Sequence, residues 1–220
     1  MGFSPKARTK VLLWSDRHCC LCKKPCDTNI EVHHIVPEAN GGSNRIENAI
    51  PLCFDCHGKV QNYNDYHPLG NKYKPEELKA RREQVYEEFT RYLVPPIHYI
   101  VTQRIHDREN RQLPDVGFVI SNLGNSLPVK ATVKVSFVVP NQKIPLGGDY
   151  YSGKRLWHLN PSHTTSGHFS LPDSFKNYSE KITLKVNVSI EDQYERVHHN
   201  LPVGYTYLPA DNDWFLEPSV

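Results

Sequence analysis

The chain has 220 residues, with 26 Lys and Arg against 24 Asp and Glu, for a formal net charge of +2. That length allows one or two domains, and 38% apolar residues are enough to build a core. No apolar run is long enough to span a membrane, and a pI near 8.2 is too mild for a protein that grips nucleic acid by bulk charge alone.

Ser4 followed by Pro5 marks a helix start, Ser as N-cap and Pro at N1. The run through Val11, Leu12 and Trp14 reads as a short helix leading to Cys19, its apolar side packed on the cysteine-bearing segment. Cys19 and Cys22 form one C-x-x-C pair; Cys53 and Cys56 form a second, which runs straight into His57. Between the pairs lie the strand-like run Glu31-Val32-His33-His34-Ile35-Val36, then Pro37, then a Gly41-Gly42-Ser43-Asn44 turn, so a hairpin-like insert is expected. Pro75, followed by Glu76 and Glu77, opens a helix to about Leu93, with Leu78, Val85, Phe89 and Tyr92 at helical spacing. The balanced mixture of Lys79, Arg81, Arg82, Glu83, Glu87, Glu88 and Arg91 reads as its solvated face. Pro95-Pro96 ends it.

Beyond that point the apolar period changes from 3.6 to 2. Val129, Ala131, Val133, Val135, Phe137 and Val139 alternate with polar residues, and Ile182, Leu184, Val186, Val188 and Ile190 repeat the pattern. Shorter strands are expected around 97 to 104, 115 to 121, 154 to 159, 167 to 171 and 193 to 200, with turns at Leu123-Gly124-Asn125 and Pro145-Leu146-Gly147-Gly148. Seven such strands suggest a β-sandwich of immunoglobulin-like architecture. Its histidines, His158, His163, His168, His198 and His199, show no ligand spacing. Tyr150, Tyr151, Trp157, Tyr178, Tyr194, Tyr205, Tyr207 and Trp214 read as core and sheet-surface fillers rather than a stacking platform for bases.

Two C-x-x-C turns can close a tetrahedral S₄ shell around Zn²⁺, which leaves no open position and so builds structure. A disulfide framework competes with this reading, but Cys20 and Cys26 complicate the pairing and a chain of this size needs no staples. Those two cysteines are expected to be spectators. Neighbours on a strand project to opposite faces, so His33 and His34 invite a division of labour, one imidazole coordinating a cation and the other acting as a general base.

Arg17-His18-Cys19-Cys20-Leu21-Cys22, Val32-His33-His34-Ile35-Val36-Pro37, the stretch from Gly41 to Cys53 and Phe54-Asp55-Cys56-His57-Gly58-Lys59 together resemble the HNH endonuclease family in its zinc-stabilised, McrA-like form. The resemblance covers roughly residues 8 to 62. It implies a ββα-metal fold in which His33 and His57 are ligands of a catalytic cation and His34 is the general base that activates water. Asn48 matches the middle asparagine, in a supporting catalytic role that braces the loop and orients the base. Cys19, Cys22, Cys53 and Cys56 would hold the structural zinc. The working ion is expected to be Mg²⁺ or Mn²⁺; two imidazoles also suit Ni²⁺, Co²⁺ or Zn²⁺. Lys59 and Arg45 are candidate phosphate contacts, as is Lys10, though each reads equally as an exposed basic residue.

The expected class is therefore α+β: an HNH nuclease domain with flanking helices over residues 1–94, then an all-β, sandwich-like domain over 95–220. The leading function is a metal-dependent DNA endonuclease of bacterial restriction or anti-phage defence type, the β domain supplying specificity, sensing or assembly. The alternatives are a catalytically silent zinc-dependent nucleic-acid-binding module, or a nuclease for RNA or for single-stranded, branched or modified DNA. Expected partners are DNA, a second copy of the chain, and a partner protein or signal ligand at the β domain, with no membrane. With zinc-ligand thiols and no leader-like segment, a reducing cytoplasm is the expected location.

Overall fold

A computed structural model describes residues 2–61, 73–104, 115–139, 142–145, 154–169, 182–200, 202–208, 210–211 and 213–217. They fall into two units, Met1–Tyr92 and Leu93–Val220, each with its own apolar core. No helix among the described residues is long and apolar enough to cross a membrane.

In the first unit, the Ser4 hydroxyl accepts from the Ala7 backbone N–H (3.2 Å) and caps α1 (Pro5–Trp14), satisfying one of the donors a helix start leaves orphaned. Val11 drives the buried side of this helix into the core with Cys19, Ile50 and Leu52. Strand β1 (Ile30–His34) pairs antiparallel with β2 (Ala49–Cys53), in the register His33 opposite Ile50 and His34 opposite Ala49. Two 3₁₀ turns, Glu38–Asn40 and Ile46–Asn48, carry the connection. Helix α2 (Phe54–Gln61) follows β2 directly, completing strand, strand and helix.

Helix α3 (Pro75–Thr90) passes into a 3₁₀ turn, Arg91–Leu93. Leu78 and Val85 are buried as the spacing predicts, together with Tyr86, which sets its ring edge-on to Trp14 (5.5 Å between centroids). Two expectations for this helix need correction. Tyr92 is 65% exposed, because the last turn tightens from α to 3₁₀ and shifts the residue off the apolar stripe. Arg82 is buried rather than solvated: its guanidinium Nη1 donates to the backbone carbonyls of Glu47 (2.7 Å) and Ala49 (3.1 Å), and Nη2 pairs with Glu83 (2.7 Å).

The second unit contains β3 (Ile97–Arg104), β4 (Asp115–Asn122), β5 (Val129–Val139), β6 (Gln142–Pro145), β7 (Lys154–Leu159), β8 (Thr164–Phe169), β9 (Thr183–Glu191), β10 (Val197–His199), β11 (Val203–Leu208) and β12 (Asp213–Leu216). Among the described residues, one sheet runs β3-β4-β8. The other runs β12-β11-β9-β5-β6, with β10 also on β9 and β7 also on β5. The neighbours β3-β4-β8 and β11-β9-β5-β6 match the A-B-E and G-F-C-C′ neighbours of an immunoglobulin-type sandwich.

The two alternating runs are the centre of this sandwich. Register places Ala131 opposite Ile190, Val133 opposite Val188, Val135 opposite Val186 and Phe137 opposite Leu184. Both apolar series therefore share one face and meet Val116, Phe118 and Ile120 of the other sheet in a single core. Each of these large side chains contributes roughly 1.5–3 kcal/mol by leaving water. Tyr99, Phe118 and Trp157 stack in a row, and Trp214 lies against Phe137 and Tyr207, so these aromatics are core fillers. The Leu123-Gly124-Asn125 turn is held by Asn122, whose Oδ1 accepts from Gly124 N–H and whose Nδ2 donates to Leu127 O, both at 2.9 Å.

Strand β10 is shorter than expected, since residues 193–195 form a turn instead. The Asp192 carboxylate organises that turn by accepting from the N–H groups of Tyr194 and Arg196. Residues 146–148 of the second expected turn, residues 170–171 of an expected strand, and Tyr150, Tyr151 and Tyr178 lie outside the described residues.

Candidate active site and zinc centre

The first cysteine pair sits on a tight knuckle closed by a His18–Pro25 bridge and by the Lys23 N–H donating to Cys19 O (2.8 Å), with Lys23 at φ 61°. The second pair straddles the junction of β2 and α2, where Cys56 N–H donates to Cys53 Sγ (3.4 Å). The Cys20 N–H donates to Pro51 O (2.9 Å), tying the knuckle to β2.

As a result the sulfurs of Cys19, Cys22, Cys53 and Cys56 all lie within 4.8 Å of one another, and Cys22 and Cys53 are 3.9 Å apart. A tetrahedron with Zn–S bonds near 2.3 Å has edges of about 3.8 Å, so the set fits zinc. Electrostatics agrees with that fit. Burial pushes Cys53 up, but donation from the Cys56 N–H and the neighbouring thiols outweighs it and brings the thiol down to about 7. Cys19 and Cys56 are pushed up, first by burial. One thiolate is thus favoured and its neighbours resist a second charge, which a dication at the centre would neutralise. Cys20 and Cys26 are buried outside this set, and Cys26 Sγ donates to Lys24 O instead (3.2 Å).

Strand alternation sends His33 and His34 into different surroundings. His33 meets His57 of α2 edge to face, with ring centroids 4.7 Å apart. Burial first, then repulsion from His57 and His34, pushes the His33 imidazole down to about 4, so its lone pair stays available at neutral pH. His57 Nδ1 lies 3.5 Å from a carboxylate oxygen of Glu31. Glu31 is two residues before His33 and so on the same face of β1; that spacing was the signal for it in the sequence. Its oxygen is the ligand type that a hard cation prefers and that two imidazoles lack. The donor set suits a divalent cation, although among the described residues only the four cysteines converge within 4.8 Å.

At the end of the strand, His34 stacks on Phe3 (4.1 Å, 22° between planes) and its Nε2 is 2.6 Å from Asn44 Oδ1. Asn44 in turn donates from Nδ2 to Glu38 (2.6 Å). No periodicity marks Asn44 or Glu38, because the loop brings them to His34 only when it closes.

Asn48 is buried and points into that loop. Its Oδ1 accepts from Val36 N–H (2.8 Å), and its Nδ2 donates to Val36 O (2.9 Å) and Ser43 O (2.8 Å). The side chain is occupied as a brace. Gly42 completes it, since a Cβ there would overlap the Val36 carbonyl oxygen. Arg82 holds the same segment from behind through the carbonyls of Glu47 and Ala49.

Arg45 and Lys59 are exposed. Arg45 is the N-cap of the Ile46–Asn48 turn. Lys59 lies about 200° around α2 from His57 and shares a face with Asp55, whose carboxyl it helps hold low after the larger effect of Lys24. In the β unit, His198 pairs with buried Asp192 (2.8 Å) and His199 with Ser189 (3.0 Å), which accounts for both locally.

The arrangement is a ββα unit with four converging cysteines and with histidines on the first strand and on the helix. Residues 19–62, a fifth of the chain, match the family model described as HNH endonuclease, and this stretch is similar to that family. No curated protein matches the chain.

Proposed function

We propose that the first unit is a metal-dependent endonuclease that hydrolyses phosphodiester bonds in DNA. The observation that carries this reading is the meeting of His33 and His57 across β1 and α2, with His34 at the adjoining strand end. A divalent cation, Mg²⁺ or Mn²⁺, held by His33 and His57 would stabilise charge on the phosphate and on the leaving 3′ oxygen. His34 takes the proton of the attacking water. Asn48 holds the loop that orients it, and Glu31 orients His57 from the carboxylate side. Arg45 and Lys59 are proposed to contact phosphates away from the reacting centre.

The β unit is proposed to supply specificity, sensing or assembly, through a second copy, a partner protein or a signal ligand, in a cytoplasmic restriction or anti-phage defence enzyme. A net charge of +2 supports this division, because a weakly charged chain gains little affinity for nucleic acid from bulk attraction and needs another source of grip. Supercoiled plasmid incubated with Mg²⁺, Mn²⁺ or Ni²⁺ should be nicked by the wild type, and not by His34→Ala or in EDTA. Intact plasmid with every metal would sink the reading.

A further inference from the structure

We infer that Asn44 and Glu38 are positioning residues that fix the tautomer of His34, leaving Nδ1 as the nitrogen that accepts the proton of water. This rests on the nuclease reading for its purpose, though the tautomer itself can be tested without it.

The Glu38 carboxylate oxygen Oε1 accepts from Asn44 Nδ2 at 2.6 Å. The Asn44 amide 2.6 Å away must therefore present its NH₂ to Glu38, which turns its carbonyl oxygen toward His34. A carbonyl oxygen 2.6 Å from Nε2 can only accept, so Nε2 carries the proton. In the neutral ring the lone pair is then on Nδ1. One carboxylate thus decides the amide orientation, and the amide decides which ring nitrogen is basic.

The same carboxylate also stands beside the ring, with Glu38 Oε1 4.0 Å from His34 Nε2. The stack on Phe3 holds the ring plane. Glu38 opens a 3₁₀ turn and Asn44 follows the Gly41-Gly42 step, so both depend on the loop that Asn48 braces.

Two measurements on the zinc-loaded full chain test this. Nitrogen-15 NMR of the histidine rings should show His34 as the Nε2–H tautomer in the wild type, and a mixture in Asn44→Ala. A wild-type His34 protonated on Nδ1 would overturn the inference, whether or not plasmid is cleaved. In nicking assays Asn44→Ala should lower kcat about 10- to 100-fold, a share of what an oriented general base supplies, with KM and zinc content little changed. The double variant Asn44→Asp/Glu38→Gln restores an acceptor facing His34 and a donor facing residue 44, and should recover most of the loss. Unchanged kcat in Asn44→Ala beside an active wild type would refute the positioning role; an inactive wild type would instead count against the nuclease reading, with the NMR result still deciding the tautomer.

Discussion

Asn48 and Val36 hold each other by two hydrogen bonds, the amide oxygen accepting from the Val36 N–H at 2.8 Å and the amide nitrogen donating to the Val36 carbonyl at 2.9 Å. A side chain used in this way imitates a strand partner. It fixes the chain just after His34, and with its third bond, to Ser43 O, it closes the loop that delivers Asn44.

Asn48→Ala leaves one buried donor and two acceptors to find other partners, at a cost of about 2–4 kcal/mol. Asn48→Asp should be no better, since a carboxylate oxygen would face the carbonyls of Val36 and Ser43. Thermal unfolding should show a lower midpoint for the first unit in both variants, together with lost nicking. A variant as stable as the wild type would show that the brace is dispensable.

Arg82 anchors the segment on either side of Asn48 from within the fold. Arg82→Ala removes charge-assisted bonds to two carbonyls and should destabilise the unit by about 2–3 kcal/mol. Arg82→Lys should recover little, because an ammonium cannot reproduce the fork that reaches Glu47, Ala49 and Glu83 together. Chemical denaturation of the three proteins measures this directly.

Zinc analysis separates the six cysteines. Cys53→Ser should lose the ion and unfold the first unit, as the ion's binding energy is part of the folding energy. Cys20→Ser and Cys26→Ser should each keep one zinc per chain. Loss of zinc from either of those two would move the centre away from the four sulfurs that converge.

His33 gives the stability a defined pH dependence. Its folded value near 4 lies below the ordinary histidine value. From pH 6.5 down to about 4 the unfolded chain therefore binds the proton that the folded chain resists, and stability falls as pH falls through that window. Above it, both states are neutral and His33 contributes no slope. Without added Mg²⁺ or Mn²⁺, His33→Asn should show a shallower fall in melting temperature between about pH 6.5 and 4.5 than the wild type; parallel curves would contradict the assignment.

A fragment of residues 93–220 should fold alone, with a β-rich circular dichroism spectrum and cooperative melting. The reason is that the β5 and β9 faces close their core with β4 of the same unit. A fragment without a cooperative transition would refute independence.

Features encoded over a few residues could be read from the chain alone. Ser4-Pro5 and Pro75 start helices, the C-x-x-C spacing assigns four zinc ligands, and the alternation in 129–139 and 182–190 specifies two strands with one buried face each. These are consequences of cap chemistry, ligand geometry and side-chain period, all of them local. Tertiary structure decided the rest: that the two alternating strands pair with each other, that Arg82 turns inward to two carbonyls, that Tyr92 turns outward, and that Glu38 and Asn44 join His34. Arg82 meets residues more than thirty positions away, and Asn44 meets His34 from within the loop that Asn48 braces. No propensity or period at those residues encodes such partners: buried Arg82 must satisfy its donors on carbonyls that only the folded chain brings to it, and Asn44 meets His34 through the course of the loop.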